Sequence, residues 1–311
     1  MSDRHLSFEA EEPGGRLDVI LAEEADELSR TRWQRLIKAG GVLVDGEVIT
    51  KPAHDLLGGE FIKATIPAPA PSHLEPEAIP LDILFENERI VVINKPPDMV
   101  VHPGAGHKSG TLVQAVLAHA PDIQGVGGQR RPGLVHRLDK GTSGVIVLAK
   151  DDQAHLALQE QFKQRVVKKE YLALVDGQPP TKSGKIEAAI GRDPNHRKRM
   201  AIVTDGSGRQ ATTIFHTEQR MRQHTLLKIL PESGRTHQIR VHLAFLGCPV
   251  VGDRVYGRRQ PSLEISRQLL HAYQLELVLP GQQEHSTFRA PLPMDFAEGL
   301  REIGGDPGPY A

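Results

Sequence analysis

Apolar residues recur at helical spacing early in the chain and at strand spacing later. In RLDVILAEE (16–24), Leu17, Ile20 and Leu21 fall at i, i+3 and i+4, which predicts an amphipathic helix. Trp33, Leu36 and Ile37 repeat that stripe in SRTRWQRLIKAGG. Ser29 is the expected N-cap of this second helix, and Gly40 or Gly41 its stop. GVLVDGEVI then predicts a hairpin turning at Asp45-Gly46, and FIKATI a short return strand. The pattern describes a small unit over 16–66, with two helices and a few strands, preceded by a tail over 1–15.

Prolines at 67, 69, 71, 76 and 80 interrupt the pattern and predict a semi-stiff linker over 67–80. A second domain is expected over 81–302. Strand-like runs recur there at 90–94, 144–150, 170–175, 212–217, 225–230 and 273–279, with helices predicted over 111–119, 152–164, 236–246 and 262–270. Several strands follow one another too closely for helical crossovers, so the expected class is α+β with a central mixed or antiparallel sheet. Gly-rich 125–133 reads as a mobile loop, and 303–311 as a disordered C-terminal tail.

Composition narrows the function classes. Hydrophobic residues make up 39% and charged residues 25%, which excludes collagen-like or wholly disordered chains. The single Cys248 excludes an internal disulfide and a CxxC metal site and suggests a reducing cytoplasm. No apolar run approaches a membrane span, and the first residues lack the apolar core of a signal peptide. Net charge is −1, unevenly spread: residues 1–70 hold 8 basic and 13 acidic residues, so the remainder is net basic. No GxxxxGK[ST], GxGxxG after a strand, HExxH or GxSxG is present, and His237 and His242 are spaced to point to different helix faces. Neither a metal nor a nucleotide cofactor is expected.

Three segments carry chemistry. LVHRLDKGTSGVIVLAK (134–150) sets Asp139 between Arg137 and Lys140 just before a strand that enters the core. Such a carboxylate serves as nucleophile or base, or equally as one partner in a salt-bridged turn. In KKEYLALV (168–175), Tyr171 alternates with apolar residues, so its ring is either core packing or a platform for a base. In SGRTHQIRVHLAFLG (233–247), Arg235 stands at a helix entrance, where its fork suits a carboxylate or a surface salt bridge.

In this order, HRLDKGTSG, KEYLALV and GRTHQIRVHL resemble the three signature segments of the RluA-type RNA pseudouridine synthases, and 82–300 are covered by the resemblance. NKPPDMVVHPGAG, VGDRVYG, LLHAYQLEL and FRAPLP reinforce it, and 16–66 resembles an S4 RNA-binding domain. The resemblance implies a pseudouridine synthase fold behind that domain and an isomerase that turns uridine into pseudouridine. The reaction breaks the bond from uracil N1 to ribose C1′ and joins C5 to C1′, with no redox change and no cofactor. By resemblance Asp139 is the carboxylate at the sugar or base and Tyr171 the ring at the flipped base. Arg235 is the partner of Asp139, Arg137 fills the vacated stack, and Ile239 forms a pocket wall. His136 receives no role. Together with IPLDILFENERIVVINKPPDMVVHPGAGHKSGT, the front domain is most similar to the branch acting on the helix 69 stem-loop of 23S rRNA.

The implied partner is therefore RNA, as 23S rRNA within a large-subunit particle, with no obligatory protein partner and a monomeric chain. Arg32, Arg35 and Lys38 form one row on the second helix and are the expected phosphate contacts, with Arg16 and Arg30 adjoining. The basic runs KQRVVKK (163–169) and HRKR (196–199) are placed at the cleft rim. Competing readings are a sister synthase acting on other rRNA uridines or on tRNA, a non-catalytic RNA-binding assembly factor, and, more distantly, a metal hydrolase.

Overall fold

The computed structural model describes residues 3–11, 15–25, 28, 30–67, 74–104, 106–123, 125–128, 131–194, 196 and 199–310. The expected cap Ser29, residues 68–73 of the expected linker and 129–130 of the Gly-rich loop lie outside the described residues.

The N-terminal unit comprises β1 (Arg4–Glu9), β2 (Gly15–Arg16), α1 (Leu17–Glu24), α2 (Arg30–Lys38), β3 (Val42–Val44), β4 (Glu47–Val48), β5 (Asp55–Leu56) and β6 (Phe61–Ile66). Its sheet runs β1-β6-β3-β4, and β2 pairs with β5. The predicted apolar stripes meet in one core: Leu17 and Leu21 of α1 and Trp33 and Ile37 of α2 pack with Val42, Leu56 and Ile62. The Trp33 indole N–H donates to the Ala25 carbonyl at 3.3 Å, which satisfies the polar atom of a fully buried ring. The expected tail 1–15 needs correction. Residues 4–9 form β1, antiparallel to β6, with Leu6 and Phe8 packed against the core. Without β1, one edge of β6 would be left unpaired.

The second unit comprises β7 (Ile83–Glu86), β8 (Ile90–Lys95), α3 (Leu112–His119), β9 (Ser143–Ala149), α4 (Asp152–Gln164), β10 (Lys168–Asp176), β11 (Ser183–Glu187), β12 (Ile190–Arg192), β13 (Met200–Ile202), β14 (Thr212–Arg220), β15 (His224–Pro231), α5 (Gln238–Phe245), β16 (Leu270–Val278), β17 (His285–Arg289) and α6 (Met294–Glu302). The central sheet runs β11-β14-β15-β10-β16-β9-β8-β7, with β17 added to β16. Every pairing is antiparallel except β16 with β9, so the sheet is mixed, as the strand spacing predicts. At that parallel pairing Gly144 has φ +108°, and a Cβ there would lie 2.1 Å from the Ala272 carbonyl oxygen. Only glycine lets the strand that follows Asp139 come this close to β16.

Two further expectations are corrected, the helix over 262–270 and the disordered C-terminal tail. Residues 262–269 are not helical. Leu263 and Leu269 instead drop singly into the core around Phe296 and Leu300 of α6, a helix the pattern reading missed. The linker is anchored from its later half. The Glu77 amide donates to the Gln114 carbonyl (3.0 Å), and the Gln114 side-chain amide to the Glu75 carbonyl (3.3 Å). The C-terminal segment is ordered through Tyr310, whose hydroxyl donates to Glu218 at 2.6 Å and whose ring stands edge-on to Tyr273. Among the described residues no helix is long and apolar enough to cross a membrane.

Candidate active site

Beyond residue 133 the chain runs along the open edge of β9. The Ala149 amide donates to the Gly133 carbonyl, and Leu134 bridges Leu148. At Val147 a side chain takes over: the backbone N–H donates to His136 Nε2 at 3.1 Å. This role requires a neutral ring protonated on Nδ1. Burial pushes the His136 pKa down to about 3, and the like charge of Lys169 adds to the effect. The imidazole, stacked on Phe162, thus stands in for a neighbouring strand and delivers Asp139 three residues later. Lys95 fixes the same loop from below. Its fully buried ammonium donates to the carbonyls of Pro96 (2.7 Å), Met99 (2.9 Å) and Lys140 (3.2 Å). Burial, reinforced by Arg267, lowers the Lys95 pKa to about 7.

Asp139 opens into a cleft of about 1000 Å³. Tyr171 lines it from β10, Arg235 from the segment leading into α5 and Ile239 from the first turn of α5, with Arg137 beside Asp139. Burial pushes the Tyr171 phenol up, and the Asp139 charge pushes it further, so the ring presents a protonated hydroxyl near the carboxylate. The cleft is strongly basic: Arg131, Arg137, Lys163, Arg165, Lys168, Lys169, Arg235 and Arg240 line it, against the acids Asp139 and Glu232. The 163–169 run therefore stands where the sequence placed it. In the HRKR run, residues 197–198 lie outside the described residues, and the Arg199 guanidinium lies 5.2 Å over the Tyr256 ring.

The partner of Asp139 differs from the expected one. Arg240, on α5, donates to Asp139 Oδ2 at 3.0 Å, and its other nitrogens clamp Asp253 at 2.7 and 2.9 Å. Arg235 precedes the helix and donates instead to the Gln210 carbonyl at 3.2 Å. The reason is helix phase: α5 begins at Gln238 and is buried on nearly every side, which carries Arg240 inward, whereas Arg235 stays at the mouth. Although burial alone would raise it, the Arg240 fork and the amides of Val255 and Tyr256 hold the Asp253 carboxyl below its usual range. Arg240 also lies 5.1 Å over the Tyr256 ring. Tyr256 exchanges a 2.9 Å hydrogen bond with His237 Nδ1, and His237 Nε2 stands 4.0 Å from Asp139 Oδ2. His242 points away from the cleft, toward Thr213 and the Ala188 carbonyl. Among the described residues no group of three His, Cys, Asp or Glu side chains stands together as a metal site.

A carboxylate clamped by arginine beside a protonated tyrosine, at the base of a basic cleft, suits covalent or base chemistry on a polyanion. The profile of the RNA pseudouridylate synthase family matches residues 89–245, which include Asp139, Tyr171 and Arg240, and that of the S4 domain matches 15–62. The chain belongs to the RNA pseudouridylate synthase family. This synthase is 49% identical to an uncharacterized RNA pseudouridine synthase of Chloroflexus aurantiacus, over 93% of this chain and 90% of that one. It is 40% identical to the ribosomal large subunit pseudouridine synthase D of Zymomonas mobilis, over 95% and 96%. Among solved structures it is similar to human RNA pseudouridylate synthase domain containing 4, with a TM-score of 0.57 and 28% identity over 71% of this chain and 92% of that one. The synthase is an RNA-modifying isomerase.

Sequence reasoning missed Arg240, Asp253 and Tyr256. One signal was present: Arg240 falls between the apolar Ile239 and Val241 in the helix predicted over 236–246, and a guanidinium that such a helix buries needs a carboxylate. VGDRVYG supplies it. The basic row on α2 also divides. Arg32 is ion-paired with Asp152 at the start of α4, whose carboxylate also accepts the Gly127 amide at 3.0 Å. Arg16 and Arg30 neutralise the fully buried Asp18. Arg35 and Lys38 remain exposed.

Proposed function

We propose that the synthase isomerises uridine in the helix 69 stem-loop of 23S rRNA, with Asp139 as the carboxylate acting on a flipped-out nucleotide. The observation that carries the chemistry is the Arg240–Asp139 pair facing Tyr171 in a cleft lined mainly by cations. Similarity over nearly the whole length to synthases named for the large ribosomal subunit supports the rRNA substrate. Extruding a uridine costs a few kcal/mol, which stacking and edge contacts in the cleft offset. Tyr171 supplies the ring against which the base rests, and Arg137 is the residue nearest Asp139 in sequence that can fill the vacated stack. Arg240 holds the carboxylate in place, and Arg235 at the mouth contacts the RNA backbone. Ile239 forms part of the apolar wall, and Arg35 and Lys38 of the S4 domain extend the contact surface.

The test is to incubate the protein with 23S rRNA lacking pseudouridine and to map the product by carbodiimide-blocked primer extension. Stops in the helix 69 loop that vanish with Asp139→Asn are expected. Stops elsewhere would leave the chemistry in place and reassign the substrate to a sister specificity. Turnover by Asp139→Asn would remove Asp139 from the reaction.

A further inference from the structure

The cations around the cleft floor that are not fully exposed are matched to acceptors, with one exception. Lys95 has three carbonyls, Arg240 has Asp139 and Asp253, and Arg267 has Asp295 with the carbonyls of Gly141 and Gln268. Lys169 is only partly exposed and lines the cleft, yet among the described residues its ammonium has no hydrogen-bond or ion-pair partner. Its surroundings add to the cost. Arg165 presses on it with like charge, the nearby His136 ring is neutral and occupied with Val147, and burial lowers the Lys169 pKa to about 8. A partly desolvated cation that lines the cleft without a partner is a ready contact for an anionic ligand.

Placement says which ligand. Lys169 and Tyr171 are two apart on β10, so strand alternation sets both on the cleft face, while Glu170 turns to Lys228 on the other. Two residues along a strand span about 7 Å. That is the scale separating a nucleobase from the phosphate of its own nucleotide. We propose that Lys169 is a phosphodiester-binding residue of the cleft floor, which takes the phosphate of the flipped nucleotide while its base rests on Tyr171. The proposal rests on the reading that RNA enters this cleft, but not on helix 69 being the target.

The test uses the full chain and whichever unmodified RNA the wild type converts. Lys169→Met, which keeps length and removes charge, is expected to weaken RNA binding about tenfold, the worth of one hydrogen bond to a charged group. It is also expected to make the log–log salt dependence shallower by about 0.7–0.9, as for one lost phosphate contact. Its Tm should hold or rise, because a partly desolvated charge without a partner is gone; a packing or loop-bracing role would lower it. Lys169→Arg should restore the salt slope and serves as the second variant if the methionine chain does not fold. Unchanged affinity and slope would overturn the proposal. So would unchanged affinity with a collapsed kcat, which would place Lys169 at the reacting base instead. If the wild type converts no RNA at all, the functional reading fails separately.

Discussion

Arg240→Lys tests the central feature of the site. In the wild type one guanidinium makes three charge-assisted hydrogen bonds, at 2.7 and 2.9 Å to Asp253 and 3.0 Å to Asp139. Removing the charge outright with methionine would strand a buried carboxylate, at about 3–5 kcal/mol, a large share of a domain's stability. Lysine keeps the charge but not the planar fork, so it can satisfy Asp253 or reach Asp139, not both. At least one bond worth about 1.5–3 kcal/mol is lost, and Asp253, the more buried carboxylate, retains the ammonium. Asp139 is then free to swing, and a loss of about 2–3 kcal/mol in the transition state corresponds to roughly 30- to 160-fold in kcat. The assay is tritium release from RNA labelled at uridine C5, because that hydrogen leaves when C5 joins C1′. Arg235→Ala, measured alongside, should lower affinity with kcat within a few-fold. The reverse result, a collapsed kcat in Arg235→Ala and near-normal turnover in Arg240→Lys, would refute the reasoning.

Three further outcomes are expected. Arg35→Ala with Lys38→Ala should weaken RNA binding and flatten its salt dependence, whereas Arg32→Ala should leave the slope nearly unchanged, since Arg32 is engaged with Asp152; isothermal binding at several salt concentrations separates the two. Asp18 is raised by burial but lowered further by the side chains of Arg16, Gln34 and Arg30, so its folded pKa lies well below 3.8. Its stabilisation is therefore present above about pH 4 and lost as pH falls, and urea midpoints of Asp18→Asn should depend less on pH between 5 and 3 than those of the wild type. Lys95→Met leaves three carbonyls without their donor and should cost about 2–4 kcal/mol in urea unfolding. Turnover should fall with it, because the Lys140 carbonyl adjoins Asp139.

Much of this protein follows from local pattern. The helical stripes of α1 and α2, the Asp45-Gly46 turn and the strand runs of the central sheet all record which faces are buried, and burial periodicity is a property of consecutive residues. The signature segments likewise determined which residues enter the cleft, because each sets a short polar run against a strand or helix whose phase is locally encoded. Pattern misled where apolar spacing had two solutions. Residues 262–270 read as a helix, but Leu263 and Leu269 are used one at a time to close the core over α6.

What only the tertiary structure decided is pairing. Asp139 lies 101 residues from Arg240, and Arg32 lies 120 from Asp152. No local spacing encodes such a choice, which is settled by which guanidinium the packed helix carries inward. The same holds for Lys169. Its lack of a partner among the described residues is a statement about everything folded around it, and the sequence records only that a lysine precedes Tyr171 by two.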